Sequence, residues 1–280
     1  MANKKNGSIY KVLVLIVCII LAALSLLPYI IMIVNSTRTT YQIQQHAISF
    51  IPSTHFFENF KILTGKAFNP AVGFMNSFLL SAGTTVVTLY FSTLTAYALV
   101  MYEWKAKKFF FSFIMAVMMI PATITVIGFY QMVYKLGMAN KLITLILPAI
   151  ASPSMVFFMR QYMKPSVSPS LVESARIDGS KEFFTFNVIV LPIMKPALAT
   201  QAIFTFVTSW NELFRPLILL TKKAKYTLPI MVSLLRGDIY KREHGAIYVG
   251  LTLTALPLIV VYFFLSKYIV AGVAMGSVKG

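Results

Sequence analysis

Acid is what this chain has least of. Eight Asp and Glu stand against 25 Lys and Arg, and charged residues of both signs make up only 12% of 280 residues. A soluble domain carries about twice that share of charge. With 58% hydrophobic residues and a mean hydropathy of +0.77, the chain reads as all-α and polytopic in a membrane. Cysteine is nearly absent: Cys18 stands alone inside the first apolar run, which excludes an internal disulfide. Histidine is scarce too, and His46 and His55 have no partners at ligand spacing, so they read as surface residues and no metal site is expected. No G-x-x-x-x-G-K-[ST] stretch occurs. Gly65-Lys66 is followed by alanine and Gly179-Ser180-Lys181 comes no closer, so the chain does not cradle ATP phosphates in that manner. No Ser/His/Asp or Cys/His arrangement marks a catalytic centre. The net charge of +17 does not indicate nucleic acid, because the basic residues lie in short loops between apolar runs, with no basic face or recognisable module. Basic loops of that kind suit anionic lipid headgroups and membrane insertion.

What is present is a series of long apolar runs. Six are expected to span the membrane: residues 12–34, 74–101, 109–134, 141–162, 196–220 and 245–266. The first follows Lys4, Lys5 and Lys11, is too long for the core of a signal peptide, and should kink at Pro28. Pro121, Pro148, Pro153 and Pro257 interrupt later runs. Proline within a span frees backbone carbonyls that neighbouring helices or a water-filled cavity must satisfy, and broken helices of this kind also occur at transporter binding sites. Six spans place residues 35–73 and 221–244 on one side, and both termini with the loop at 168–192 on the other. Of the 25 Lys and Arg, thirteen fall on the side of the termini and twelve opposite. Charge bias alone therefore does not orient the chain.

Two stretches within the spans carry polar chemistry. Ser77, Ser81, Thr84, Thr88, Ser92 and Thr95 recur at steps of three and four, which puts them along one helix face. Small hydroxyl residues serve close helix packing, or a wall of a polar substrate path, for which Ser81, Thr84 and Thr88 are the candidates. The fifth run carries Ser209-Trp-Asn-Glu-Leu-Phe-Arg-Pro216 in its outer half. A charge inside a span costs about 2.5–3.5 kcal/mol on insertion scales, so Glu212 and Arg215 need a reason. Their i, i+3 spacing allows an ion pair. Equally, Trp210, Asn211, Glu212 and Arg215 suit a sugar path, the indole stacking on a pyranose face while the other three bind hydroxyls.

The loop at 168–192 is a polar island that reads as two short helices joined by Gly179. Ser170 and Glu173 have capping-box spacing, Ser180 can cap the second helix, and Pro192 should end it. Leu171, Val172 and Ala175 share one side of the first helix, a small apolar face among solvated charges that suits a groove on another protein. The order E-x-A, three residues, G, nine residues, I-x-L-P falls on Glu173, Ala175, Gly179, Ile189, Leu191 and Pro192. It resembles the "EAA" loop of the membrane subunits of ATP-driven importers, with Ser174 where the family has a second alanine. The 209–213 fragment likewise resembles the S-W-N-E-F motif of sugar-importer permeases. Residues 76–111, 173–196, 209–217 and 268–280 all look like the six-helix permease of the maltose and multiple-sugar class.

That resemblance implies the type I permease fold of ABC importers in a bacterial or archaeal plasma membrane, with both termini cytoplasmic. The implied partners are a second homologous permease, an ATPase dimer that holds the ATP and Mg²⁺, and an extracytoplasmic solute-binding protein. Leu171, Val172, Glu173, Ala175, Arg176, Asp178 and Gly179 would then form the ATPase-coupling helix, and Val278 and Lys279 would reach the ATPase interface. The substrate would be a sugar or oligosaccharide. Lys222, Lys223, Lys225, Arg236, Lys241 and Arg242 make segment 221–244 unusually basic, which suits an acidic face of the binding protein or an anionic substrate such as a uronate-bearing oligosaccharide. A non-sugar solute, or an ion-coupled carrier or channel without an ATPase, are the other readings. The carrier would need buried acids in several spans, and Glu212 is the one strong candidate.

Overall fold

The computed structural model describes residues 2–65, 68–235 and 243–277, with side chains for all of these except 2–9, 122–123 and 263–277. Among the described residues every regular element is helical. In chain order these are α1 (Ala2–Ser36), α2 (Thr40–Gln45), α3 (Phe56–Gly65), α4 (Pro70–Met101), α5 (Lys107–Met118), α6 (Ala122–Lys135), α7 (Leu142–Ile146) and α8 (Pro153–Ser166). After them come α9 (Pro169–Ile177), α10 (Glu182–Phe184), α11 (Leu191–Ile193), α12 (Lys195–Trp210), α13 (Phe214–Leu219), α14 (Leu228–Leu235) and α15 (His244–Ser277).

Three helical stretches are long and apolar enough to cross a membrane: Tyr10–Ser36, Pro70–Met101 and His244–Tyr262. Counting each of two bent pairs as one broken span raises the number to five. The expected span at 109–134 is instead two helices, α5 and α6, which meet at Pro121. The expected span at 141–162 is bent by 44° where α7 and a 3₁₀ turn (Leu147–Ile150) give way to α8. Prolines 148 and 153 cause this, since neither can donate to the carbonyl four residues earlier.

The chain divides into two compact units. The first comprises residues 1–70 and 231–256. Its α1 carries exposed Leu13, Leu15, Ile19 and Leu24 along its length, a surface that lipid rather than water solvates. Beyond α1, residues 35–73 are not a simple loop. Thr39 and Gln42 form a capping box on α2 (3.0 and 3.2 Å). Arg38 is buried, and its guanidinium bonds Asn35 Oδ1 and the carbonyls of His46 and Gln42 at 2.8–2.9 Å. Asn59 on α3 donates to the carbonyls of Ser36 and Arg38. Of the two histidines, His46 is exposed, while His55 bonds Glu58 at 2.7 Å.

The second unit, residues 71–230 and 257–280, is built on α4. The hydroxyl stripe on this helix serves two purposes. Ser77 is buried and accepts from the Leu228 N–H at 2.9 Å, and Ser81 and Ser92 are wholly buried at helix contacts. Gly83 lets Ile146 of α7 approach closely, since a Cβ there would lie 2.7 Å from its Cδ1. One core gathers Tyr97 of α4, Met159 and Met163 of α8, Val172 of α9, and Phe186. A second gathers Leu80, Val133, Leu145, Leu219, Leu220 and Ile230.

Segment 221–244 also departs from expectation. Lys222, Lys223 and Lys225 are exposed in a short turn, but α14 follows at once with Leu228 and Ile230 buried. Arg236, Lys241 and Arg242 lie outside the described residues, as do Val278 and Lys279. The helix expected to end at 266 continues to Ser277. Asn76 anchors the basic turn to α4, donating to the carbonyls of Ala224 and Tyr226 at 3.0 Å each. Asn76→Leu keeps the branched shape of the side chain and removes both bonds, so it should cost about 1–2 kcal/mol, read as a lower midpoint of thermal unfolding in detergent.

Candidate functional site

Two breaks in the second unit face a common space. Pro216 cannot donate to the carbonyl of residue 212, so the fifth expected span does not run continuously from 196 to 220. It stops at Trp210 and restarts as α13. The other break lies at residues 147–153. Between them and α4 is a cavity of about 390 Å³, lined by Thr84 and Thr88 of α4, by Pro148 and Ser152, and by Ser209, Glu212 and Arg215. A second space of about 760 Å³ is lined by Thr125, Ile127 and Phe129 of α6 and shares Pro148, Glu212 and Arg215 with the first.

Glu212 and Arg215 do form the ion pair that their spacing allows. Arg215 Nη2 and Nε donate to Glu212 Oε2 at 2.9 and 3.2 Å. Oε1 accepts the backbone N–H groups of Phe214 and Arg215 at 3.1 and 3.4 Å. The carboxylate thus satisfies the start of α13 while it holds the guanidinium. Four N–H contacts on one carboxylate supply the compensation that a charge in a span requires.

The other candidates separate. Thr84 and Thr88 line the cavity, whereas Ser81 is 0% exposed and does not. Asn211 is exposed but lines neither space. Trp210 is 1% exposed, stacked on Phe206 at 5.6 Å and edge-on to Phe74 at 5.8 Å. Its indole is packing here, so the expected pyranose-stacking platform is not formed.

The 168–192 loop holds the second constellation. Ser168, not Ser170, stands at the N-cap position of α9, where its side chain caps no N–H and bonds the Ser170 hydroxyl at 2.6 Å instead, so the expected Ser170–Glu173 capping box is absent. Gly179 closes the helix at φ +80°, with its N–H on the Arg176 carbonyl and that of Ser180 on the Ala175 carbonyl. These are the two bonds of a Schellman turn. Lys181 rather than Ser180 stands at the N-cap position of α10, with no side-chain cap, and Ser180 Oγ pairs with Thr185 Oγ1. Pro192 does not end the segment. A wide π turn over Thr185–Val190 precedes it, with the Leu191 N–H reaching the Phe186 carbonyl five residues back, and the chain bends by 79° only at Met194. The wider turn makes room for the proline ring.

Val172 is buried in the core described above and Ala175 is buried too, so the apolar side of α9 faces inward and is not the docking face. What α9 exposes is Leu171, Glu173, Ile177 and Asp178, with Ile177 86% exposed. Arg176 points across the turn. Its Nε donates to Glu182 Oε1 at 2.5 Å, its guanidinium lies 5.0 Å from the Tyr102 ring, and Tyr97 donates to Glu182 Oε2 at 2.9 Å. The bond to Glu182 holds the Arg176 pKa above its ordinary value. Ile177, Glu182, Tyr97 and Tyr102 were not foreseen from sequence. A bond spanning Gly179 has no periodic signature, and Ile177 stands out only once the direction of the core is known.

Residues 88–275 match the family described as "Binding-protein-dependent transport system inner membrane component". The chain belongs to that family. It is 33% identical over 280 residues to the arabinooligosaccharides transport system permease protein AraQ of Halalkalibacterium halodurans, covering 99% of this chain and 100% of that one. Identity to the lactose transport system permease protein LacG of Rhizobium radiobacter is 31% over 258 residues, 92% of each chain. In fold, this inner membrane component superimposes with a TM-score of 0.81 on a chain of a bacterial ABC transporter involved in the import of the acidic polysaccharide alginate. That match has 21% identity and covers 94% and 97% of the two chains.

The Schellman turn makes this inner membrane component sensitive at one backbone position. Gly179→Val forces a β-branched residue to φ +80°, which should cost about 1–2 kcal/mol. Limited proteolysis should then cut the loop faster than in the wild type, while cleavage elsewhere stays unchanged.

Proposed function

We propose that the chain is the membrane-spanning permease subunit of an ATP-driven importer. It takes a sugar or oligosaccharide from an extracytoplasmic solute-binding protein and passes it to the cytoplasm by alternating access. The observation that carries this reading is the polar cavity at the two proline breaks, where Thr84, Thr88, Ser209 and the Glu212–Arg215 pair meet inside an otherwise apolar unit. Hydroxyls and a paired guanidinium match the hydrogen-bonding groups of a sugar. The printed substrates of AraQ and LacG, arabinooligosaccharides and lactose, support the same class.

In this reading there are six spans: α1, α4, α5 with α6, α7 with α8, α12 with α13, and α15. Both termini and α9 are cytoplasmic. A second, homologous permease completes the pathway. ATP and Mg²⁺ belong to a partner ATPase dimer, since this sequence has no glycine loop to cradle phosphates. The helix α9 docks on one ATPase subunit through Leu171, Glu173, Ile177 and Asp178. Val172, Ala175, Arg176 and Gly179 hold it to the body of the permease. Closure of the ATPases on ATP moves α9, and through it the spans, so that the cavity turns to face outward and receives sugar. A carrier without an ATPase is not favoured, because both oxygens of Glu212 already accept four N–H groups and leave no seat for a coupling ion.

Docking is testable in the assembled complex. Glu173→Lys and Ile177→Asp alter exposed side chains and leave the core untouched. Each should weaken ATPase association about tenfold, or about 1.4 kcal/mol, measured as the ATPase recovered with the affinity-purified permease. ATP-dependent sugar uptake into proteoliposomes with the binding protein should fall in parallel. Full association and full uptake in both variants would refute the docking face.

A further inference from the structure

The sugar-path reading leaves the charge of the cargo open, and the cavity's own charge balance addresses it. Glu212 and Arg215 are the ionisable residues lining either space. They form a closed pair at 2.9 Å. A carboxylate has about four lone-pair positions, and four N–H groups occupy those of Glu212. Arg215 spends two of its five side-chain N–H donors on Glu212 and keeps three. Thr84, Thr88, Ser152 and Ser209 add hydroxyls. The site is therefore rich in donors yet carries no net charge.

Such a site suits hydroxyl and ring oxygens, which accept hydrogen bonds and bring no charge. A uronate differs in one respect. Its carboxylate must shed water to enter, and it recovers that loss most fully from an uncompensated cation. Here the attraction of Arg215 is cancelled by Glu212, held against the same guanidinium. Lys222, Lys223 and Lys225, the described lysines of the basic turn, line neither cavity. From this geometry we infer that the cavity selects neutral oligosaccharides, and that Glu212 is the residue that turns uronates away. This inference rests on the proposed sugar path.

The test measures binding to the whole importer, because the solute-binding protein would otherwise impose its own selectivity. The assembled complex in lipid nanodiscs, without binding protein, is dialysed against labelled arabinotriose, lactose and raffinose, and against trigalacturonate. The best neutral sugar should bind at least about tenfold more tightly than trigalacturonate, as expected where like charges meet in a partly dry site. Glu212→Gln keeps an oxygen to accept from the start of α13 but removes the charge that balances Arg215. It should raise the ratio of trigalacturonate to neutral-sugar affinity by about tenfold or more, whatever change in binding the two classes share. Equal or tighter binding of trigalacturonate by the wild type overturns the inference, and so does an unchanged affinity ratio in the variant. If the variant does not assemble, the wild-type ratio decides alone. Should an intact, ATP-hydrolysing complex bind none of the four sugars, the sugar path itself is wrong and the inference falls with it.

Discussion

A proline inside an apolar span sets the terms for everything around it. It has no N–H to give, and its ring displaces the carbonyl one turn earlier, so the helix must stop, widen or bend. In lipid the groups set free cannot turn to water, so they need partners from the protein or a wet cavity. Pro148, Pro153 and Pro216 do this around one space, and polar side chains collect where the helices fail. Glu212 shows the economy of the arrangement. It caps the restart of α13 with one oxygen and grips Arg215 with the other, so a structural necessity and the lining of the cavity share one carboxylate. Pro192 shows the alternative outcome, in which a π turn widens the helix enough to pass the ring.

The parts of this architecture that were legible in the sequence are those governed by local chemistry. Proline positions located the breaks at residues 148–153. Gly179 marked the end of α9 because left-handed backbone strongly prefers glycine. The i, i+3 spacing of Glu212 and Arg215 allowed a pair, and a pair is what forms. Helical spacing also placed the α4 hydroxyls on one face. It did not say that Ser77, Ser81 and Ser92 would meet helices while Thr84 and Thr88 met open space.

What sequence could not give was the identity of the covering partner. Val172 and Ala175 look like a docking face because they are apolar and share a side, but the same pattern serves equally well to hold α9 against its own chain, and both are buried there, Val172 in the core with Met159 and Phe186. Trp210 looked like a platform for sugar because indole can stack on a pyranose, yet Phe74 and Phe206 already occupy its faces and edge. The Ser170–Glu173 capping box failed for a subtler reason. Pro169 favours the first turn of a helix, which moves the N-cap position back to Ser168. In each case composition identified the chemistry and tertiary packing chose its use.

The inward direction of α9 also bears on how force could travel. A helix that docked by its only apolar face would be held by its partner and loosely tethered to its own chain, and a push on it would be absorbed locally. Here the apolar face is spent on Met159, Met163 and Phe186, and the polar end is tied through Arg176 and Glu182 to Tyr97 on α4. Tyr97 lies on the same continuous helix as Thr84 and Thr88. A displacement of α9 therefore has a rigid route to the helix that walls the cavity, through packed side chains and two charge-assisted bonds rather than through a flexible loop. For coupling, what matters in this loop is less the surface it shows a partner than how firmly it is joined to the helix behind it.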